Sequence, residues 1–436
     1  GSLPGHARWQ PRHLMSSTLY LAYTFPLSSV WAGYKHNKIM QTPPLMITQT
    51  DSTTPFCLNL HVGDVGHTMI VGPTGAGKSV LLNTLAIQTR GVPNSQVFIF
   101  DQGGSSRCTT AGVGGTFFDI GKETKNSLSF QPLGEIDTDE DISMANEWVK
   151  ALYANQGLKL TPEEQNDIWT TLLKIRNYPK ELRRLKLFKK LVSSEKLKES
   201  IIPYTEDGPY GKILDTADEA ISNNCWQVFE TEILLRDMKD AIEPILFHLF
   251  HKIEKMCNGP WTYIIFDESW AYLKNAYFLG WLEEFLRKAR KKHVSVIFAT
   301  QDLTEIGNSS ISNLVASNCK TKIYLPNSQA LSEQVYPIYR GMGLNDREIR
   351  LIAEGIPKQQ YYYKSELGSR MFNLALTPFA LSFVGTSSPG EQMMVKNFLD
   401  EHPDEDFAEY WIRSHGFMDA LNYYDEIRDQ LAVREM

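Results

Sequence analysis

Cysteine is scarce in this chain of 436 residues, and the few cysteines are widely scattered. They are Cys57, Cys108, Cys225, Cys257 and Cys319. No two of them form a Cys-x-x-Cys pair, and no histidine stands at the spacing of a zinc site. The pattern therefore excludes a disulfide framework and a structural zinc site, and it favours a reducing cytoplasm.

Long apolar runs are missing too, since no stretch approaches the ~18 residues that a membrane-spanning helix needs. The nearest candidate, residues 19–34, is interrupted by Pro26, Ser28 and Ser29. Any membrane association would be peripheral or through partners. The chain also lacks net positive charge, because its formal charge is −7 and its isoelectric point about 5.9. A contact with DNA would therefore need a local basic patch.

The remaining composition, with 42% hydrophobic and 22% charged residues, is that of an ordinary globular protein with a large core. Gly1 and Ser2 look like the remnant of a removed tag, so we expect a piece of a longer protein. Residues 1–60 read as irregular and extended, with Pro43, Pro44 and Pro55 as breakers.

A strand-helix-strand unit follows. The apolar run 69–71 leads through glycines into a helical pattern, and a second buried strand, 97–100, ends at Asp101. This spacing implies a parallel sheet. Further strands of the same kind are predicted at 262–266 and 294–299, and the intervening residues 137–258 read as a mainly helical insertion. A capping box at Thr161–Glu164 is one of the helix signals there.

The final third of the chain gives mixed signals. Asn345 opens a helix, and residues 360–364 and 370–376 alternate as the two strands of a hairpin. We predict a strand at 379–384 and a polar helical tail from Ser388.

One loop matches the phosphate-binding pattern G-x-x-x-x-G-K-[ST] residue for residue. Its residues are Gly72, Pro73, Thr74, Gly75, Ala76, Gly77, Lys78 and Ser79, and Val80 continues into the helix. Glycines let backbone N–H groups surround phosphates at a helix N-terminus. Lys78 is expected on the β- and γ-phosphates and Ser79 on Mg²⁺. A chance glycine-rich turn is the alternative, but a strand precedes the loop and a helix follows it, as the pattern requires.

Two acids, Asp267 and Glu268, end the predicted strand 262–266. In P-loop enzymes the first acid orients Mg²⁺, and the second is placed to polarise the attacking water. A solvated turn is the alternative for such a pair in isolation. After a phosphate-binding loop the pair indicates ATP hydrolysis with Mg²⁺, which favours a motor over a nucleotide switch.

Gln301 ends the next strand, where a polar side chain can sense the γ-phosphate; a loop cap is its alternative. Arg287 and Arg290 precede that strand, and either guanidinium would neutralise charge at a neighbouring subunit's γ-phosphate. A basic helix C-terminus is an equally good reading. The loop after Asp101, residues 102–106, should line the same crevice at the carboxyl ends of the strands.

These residues and their flanks resemble the TrbE-type ATPases of conjugative transfer, which belong with the largest ATPase of type IV secretion systems. The resemblance covers most of residues 14–385. Its carriers are Thr54-Pro55-Phe56, Asn59-Leu60-His61, Asp64-Val65-Gly66-His67, the phosphate-binding loop, Phe100-Asp101-Gln102-Gly103-Gly104-Ser105, Leu128-Ser129-Phe130-Gln131-Pro132-Leu133 and Asp267-Glu268-Ser269-Trp270.

The resemblance implies an α/β fold: a RecA-like P-loop NTPase with a mainly parallel sheet and an inserted all-helical subdomain. On this basis residues 1–60 end a missing N-terminal domain and 61–136 begin the core. Residues 137–258 are the insertion, 259–386 complete the core, and 387–436 form the tail.

The resemblance also implies an ATP- and Mg²⁺-dependent hexamer at the cytoplasmic face of the bacterial inner membrane. It would work with inner-membrane components and other ATPases of the secretion machine. Alignment on Gln301 favours Arg290 over Arg287 as the arginine acting in trans, and Arg370 is a further candidate.

Two rival functions stay open at this point. A DNA translocase is suggested by the basic runs 180–198 and 287–292, although the acidic total counts against DNA as the main ligand. A nucleotide-gated scaffold with little turnover is the other, and the intact Lys78, Asp267 and Glu268 argue against it.

Overall fold

The computed structural model describes residues 17–20, 30–121, 127–221, 224–268, 276–301, 317–403 and 405–435. Residues 33–436 form one compact unit and residues 1–32 another. Most of the apolar run 19–34 lies outside the described residues, as do Ser269 and Trp270. All elements named below belong to residues 33–436.

The strands of the described residues join into a single sheet. They are β1 (Met46–Gln49), β2 (Pro55–Leu58), β3 (Thr68–Val71), β4 (Ser95–Asp101), β5 (Thr116–Asp119), β6 (Trp226–Glu230), β7 (Trp261–Phe266), β8 (Val294–Thr300), β9 (Thr321–Tyr324), β10 (Gln360–Ser365) and β11 (Gly368–Asn373). Their order across the sheet is β2-β1-β11-β10-β9-β3-β8-β7-β4-β6-β5. The strands from β9 to β5 are parallel, and the four beyond β9 are antiparallel.

Helices cover both faces of this sheet. They are α1 (Lys78–Gln88), α2 (Arg107–Gly112), α3 (Asp139–Asn155), α4 (Pro162–Ile175), α5 (Leu185–Leu191), α6 (Glu195–Ser200), α7 (Gly211–Leu214), α8 (Glu232–Asp237), α9 (Ile242–Met256), α10 (Ala276–Ala289), α11 (Tyr336–Gly341), α12 (Asp346–Glu354), α13 (Pro378–Val384), α14 (Pro389–Glu401), α15 (Phe407–Ser414) and α16 (Met418–Glu435). Short 3₁₀ turns lie at Thr89–Gly91, Lys180–Leu182, Ile202–Tyr204, Lys239–Ala241 and Arg290–Lys292.

Because helices cover both faces of the sheet, its central parallel strands are buried on both faces. Every residue of β3, β4 and β8 is buried. One phenylalanine from each of five neighbouring strands forms a row across the sheet: Phe118, Phe229, Phe100, Phe266 and Phe298. Strand register sets these rings side by side. Phe250 of α9 lies against the row, with ring centroids 5.1 Å from Phe100.

Several predicted elements match the structure. The predicted strands 69–71, 97–100, 262–266 and 294–299 are β3, β4, β7 and β8. The Thr161 capping box forms, with the Thr161 N–H donating to the Glu164 carboxylate at 2.8 Å. The hairpin is β10–β11, and the tail is helical.

Three expectations differ from the structure. Residues 379–384 are the helix α13 and not a strand, because Thr377 caps the helix and Pro378 opens it. Residues 1–60 are not wholly irregular, since β1 and β2 pair and extend the main sheet. Residues 137–258 are not all helical, since β6 lies between β4 and β5 in the parallel sheet.

The continuous helical stretch is therefore Asp139–Leu214, from α3 to α7. β6 and α9 belong to the sheet and its covering layer, because α9 lies against the phenylalanine row. The other domain boundaries stay as predictions.

Replacing Phe229 with alanine tests whether β6 is part of the core sheet. Its ring is fully buried between Phe100 and Phe118, so the cavity should lower the free energy of unfolding by about 3–5 kcal/mol. Urea denaturation followed by circular dichroism measures the change. Leu182→Ala, at a side chain that is 51% exposed in the helical stretch, should cost no more than about 0.5 kcal/mol. Equal effects would contradict this placement of β6.

Candidate functional site

The phosphate-binding loop connects the central strand β3 to α1. Gly72 continues the strand by donating its N–H to the Thr300 carbonyl at 3.2 Å. A Cβ at Gly72 would lie 2.3 Å from Leu325 Cβ, and Gly75 and Gly77 have φ of +77° and +101°. Side chains cannot occupy these positions without strain. The backbone thus forms a cradle of the kind that holds phosphate groups.

Lys78 begins α1 and is almost buried, with a side-chain exposure of 6%. Its ammonium lies 3.1 Å from Asp267 Oδ1 and also bonds Glu268. Burial lowers the pKa of Lys78 and raises that of Asp267, and in each case the charge of the partner opposes the shift. The geometry supports the ion pair, because two opposite charges in contact stabilise each other in a medium of low dielectric.

Asp267 and Glu268 are fixed by the end of β7. The Asp267 N–H donates to the Phe100 carbonyl at 2.9 Å, which keeps Asp267 in register with β4. Glu268 then takes a left-handed backbone conformation, with φ of +53°. This conformation is uncommon for a residue with a side chain. It lets the Glu268 carboxylate reach back to Lys78.

Gln301 and Thr74 complete the group. The Gln301 amide donates to the Glu268 carboxylate, and the Thr74 hydroxyl donates to the Gln301 carbonyl oxygen. The structure therefore brings Lys78, Asp267, Glu268 and Gln301 together from three separate stretches of sequence. Thr74 lies in the predicted loop, but its bond to Gln301 was not foreseen.

A cavity of about 960 Å³ opens beside these residues. Its lining includes Ser79 and the phosphate-binding loop on one side. The other walls come from segments that the sequence reading did not assign to the site: Gln49, 357–359, 373–376 and 384–387. Two of these walls have a local sequence signal: Pro357 indicates a turn, and Thr377 indicates the start of a helix. Nothing in the sequence indicated that they meet the loop.

Asp101, the last residue of β4, fixes the loop that follows it. Its buried carboxylate accepts the Ser106 N–H at 2.8 Å and the Ser105 hydroxyl at 3.0 Å. Burial, with the neighbouring charge of Asp267 as the next cause, raises the pKa of Asp101 to about 7. Ser105 lines the cavity, so the loop after Asp101 reaches the crevice.

The candidate arginines lie elsewhere. Arg290 follows α10 and precedes β8, at the amino ends of the parallel strands, where it forms an ion pair with Asp64. Since β8 spans seven residues, its two ends are about 20 Å apart, with Arg290 before one end and Gln301 after the other. Arg287 is 74% exposed and lies 3.8 Å from Glu283. Arg370 lines a separate cavity of about 440 Å³ together with Arg347.

The basic run 180–198 is largely neutralised by neighbouring acids. Lys180 pairs with Glu135 at 3.2 Å, and Arg183 pairs with Asp137 at 2.8 Å. Further pairs are Arg184–Glu206, Lys186–Glu206, Lys189–Asp207, Lys196–Glu164 and Lys198–Glu195. This surface therefore presents less positive potential than the sequence suggests, and DNA contact stays a prediction.

Two buried histidines support the amino edge of the sheet near Arg290. His61 bonds the Ser295 hydroxyl at 3.2 Å, and His67 Nδ1 accepts the Val296 N–H at 3.1 Å. Burial lowers the pKa of both rings to about 4. Both are therefore neutral in the folded protein at physiological pH.

Comparisons with known proteins found relatives among the curated proteins. No protein-family model matches the chain. It is 36% identical over 431 residues to a probable conjugal transfer protein TrbE of Sinorhizobium fredii, covering 98% of this chain and 65% of that protein. It is 37% identical over 428 residues to the conjugal transfer protein TrbE of Rhizobium radiobacter, covering 96% and 52%. The chain thus spans between about half and two thirds of these relatives.

A solved structure shows the same fold. VirB4 of Thermoanaerobacter pseudethanolicus superposes with a TM-score of 0.59 at 15% identity, covering 77% of this chain and 97% of that one. The fold is therefore the RecA-like P-loop NTPase fold that was predicted. Within the described parts of the chain, no helix combines the length and the apolar character needed to cross a bilayer.

His67 predicts a loss of stability in acid. Its folded pKa of about 4 lies below the ordinary 6.5, so the neutral ring contributes stability above pH 6.5. That contribution, at most about 3 kcal/mol, is lost as the pH falls from 6.5 towards 4. His67→Gln should reduce the slope of the free energy of unfolding against pH in this window. Denaturation of both proteins at several pH values measures it, and identical slopes would contradict the assignment.

Proposed function

We propose, from the relation of this chain to the TrbE proteins, that it is an ATP-hydrolysing motor domain of a conjugative or type IV secretion machine. The observation that carries the proposal is the contact of Asp267 and Glu268 with Lys78, and of Gln301 with Glu268, where Lys78 and Gln301 line the cavity beside the phosphate-binding loop. These are the groups that phosphoryl transfer to water requires. In such a motor, hydrolysis would energise pilus assembly and substrate transfer.

ATP fits this cavity. The glycines of the loop would wrap the triphosphate, and Lys78 would contact its β- and γ-phosphates. Because Lys78 bonds Asp267 and Glu268, phosphate oxygens compete with these carboxylates for its ammonium.

The residues also fit Mg²⁺, because the Ser79 hydroxyl and the Asp267 carboxylate are oxygen ligands of the kind this ion prefers. Bound Mg²⁺ would neutralise charge on the phosphates. Glu268 would accept a proton from the attacking water as general base. Gln301 forms hydrogen bonds with both Glu268 and Thr74 of the loop. A shift of the loop on the γ-phosphate side would therefore be transmitted to the general base Glu268.

The arginine assignment requires a second copy of the chain. Arg290 lies at the edge of the sheet opposite its own phosphate-binding loop, so it can act only on the nucleotide of a neighbour. A ring of identical subunits provides such neighbours, because head-to-tail contacts close when the rotation allows it. We therefore propose a homo-oligomer, a hexamer by resemblance, with Arg290 acting in trans in preference to Arg287 or Arg370.

The same relation supports a proposed position in the cell. A conjugative motor would lie at the cytoplasmic face of the bacterial inner membrane as a peripheral protein. Its partners there would be inner-membrane components and the other ATPases of the machine.

Glu268→Gln tests the hydrolytic role directly. The amide cannot accept a proton, so hydrolysis should fall by at least about 100-fold, while fluorescent ATP analogue still binds. Lys78→Ala should instead weaken binding itself. Glu283→Gln, at an exposed acid of α10, is the matched control and should behave as the wild type. Unchanged hydrolysis in Glu268→Gln, with assembly still dependent on ATP, would support the scaffold function instead.

Mixing two inactive variants tests the trans arginine. Glu268→Gln supplies a normal Arg290, and Arg290→Ala supplies a normal Glu268. An equimolar random mixture should therefore hold intact sites at about a quarter of its interfaces, and activity should return to a similar fraction. The ATPase rate per subunit should also rise with protein concentration. A mixture as inactive as its components, together with a flat rate, would exclude action in trans.

A further inference from the structure

We propose that Lys358, which lies outside every recognised motif, binds phosphate in addition to Lys78. It would contact the incoming nucleotide before Lys78 does. This inference rests on the proposed nucleotide site and names a residue that the sequence patterns do not indicate. It draws on the backbone contacts of Lys358, its conformation and the surroundings of its charge.

The backbone of Lys358 is attached to the phosphate-binding loop. Its N–H donates to the Ala76 carbonyl at 2.9 Å. Its Cα would lie 3.1 Å from a Cβ at Gly77, so the two segments are in close contact. Tyr361, three residues later, donates its hydroxyl to the Gly77 carbonyl at 3.3 Å. The turn before β10 is therefore built onto the loop at the point where phosphates would bind.

Lys358 also has an uncommon backbone conformation, with φ of +65°. Residues with side chains rarely adopt this left-handed region, at a cost on the order of 1 kcal/mol, and such residues concentrate at functional sites. Gln360 holds the turn closed, because its side chain accepts the Ile356 N–H at 2.8 Å. Asparagine or glycine would adopt this conformation more easily than lysine. The turn geometry alone thus gives no reason for a lysine here.

Lys358 brings a positively charged residue to the wall of the proposed nucleotide cavity. Lys358 is exposed and lines the same cavity as Lys78. Among the residues that the structure describes, no carboxylate lies within 4.0 Å of its ammonium, in contrast to the paired lysines of the run 180–198. The polyphosphate is the anionic part of ATP, and a flexible lysine stem suits contact with it.

The two lysines then act in order. Lys78 is nearly buried and bonded to two carboxylates, so phosphate must displace these before it gains the ammonium. Lys358 is exposed and meets no such competition. It would attract the polyphosphate at the cavity mouth, and Lys78 would bind it once it has entered the loop.

The test compares Lys358→Asn and Lys358→Arg with the wild type, by titration with the fluorescent nucleotide mant-ATP in Mg²⁺. Asparagine tolerates the left-handed conformation but carries no charge, so it should weaken binding about tenfold. Arginine keeps the charge and should bind within about twofold of the wild type. The dependence of the Kd on salt should be weaker for Lys358→Asn. Binding of mant-adenosine, which has no phosphate, should be unchanged.

Lys159→Asn is the matched control, because it removes one exposed lysine charge from a loop in the helical stretch. It should leave the Kd for mant-ATP unchanged, and all variants should melt near the wild-type temperature. If the wild type binds mant-ATP and Lys358→Asn binds it equally well, the role of Lys358 is refuted and the proposed function stands. Equal weakening of mant-adenosine and mant-ATP would refute it as well, since the effect would then be structural. Failure of the wild type itself to bind would refute the nucleotide site and this proposal together.

Discussion

The register of the parallel sheet is the constraint on which the site depends. Phe100 lies beside Phe266, and Phe266 lies beside Phe298, because the strands align at these positions. The residue after each ring therefore emerges at the same edge of the sheet. In β4 and β7 these residues are Asp101 and Asp267, and in β5 and β6 they are Asp119 and Glu230. A slip of one residue would move the aromatic rings to the opposite face of the sheet and turn Asp267 away from Lys78.

Burial removes these carboxylates from water, which is unfavourable. Hydrogen bonds and ion pairs with nearby residues offset this loss of hydration. The Asp119 carboxylate accepts hydrogen bonds from the two terminal guanidinium nitrogens of Arg107, the shorter of 2.6 Å. The Asp101 carboxylate accepts two hydrogen bonds from its own loop. Asp267 has Lys78. Burial disfavours each isolated charge, but paired charges in contact stabilise each other. In the proposed nucleotide complex, phosphate would take the place of these carboxylates at Lys78, and Mg²⁺ would take the place of Lys78 at Asp267.

A sequence predicts most readily those features that one local pattern contains. The phosphate-binding loop and the Asp267-Glu268 pair are each contained in a few residues, and β3, β4, β7 and β8 are continuous apolar runs. β6 was not predicted, although it ends in Phe-Glu much as β4 ends in Phe-Asp and the final Phe of β7 is followed by Asp. That repeated ending of buried strands was an available signal.

Other features depend on contacts between distant residues, and no local pattern contains them. Residues 373–387 and Lys358 form the cavity walls only because β10 and β11 lie beside the loop strand across β9. The basic run 180–198 suggested a phosphate-binding surface, but its partners Glu206 and Asp207 come from a later turn. Helix α13 was read as a strand because its apolar residues outweighed the Thr377-Pro378 start signal.

Several residues at the proposed nucleotide site have an uncommon backbone conformation. Glu268, Lys358 and Ala375 all have positive φ, and all three touch or line the proposed nucleotide site. Such conformations persist only where the surroundings enforce them.

Strand β8 connects the two edges of the sheet. At the edge opposite the loop, Arg290 and His293 precede β8, and Gln301 follows its other end. A seven-residue strand buried along its whole length is stiff. This strand connects Gln301, the proposed γ-phosphate sensor, to the segment that carries Arg290 at the other edge. In a ring with Arg290 in trans, β8 would carry the state of one site to the next.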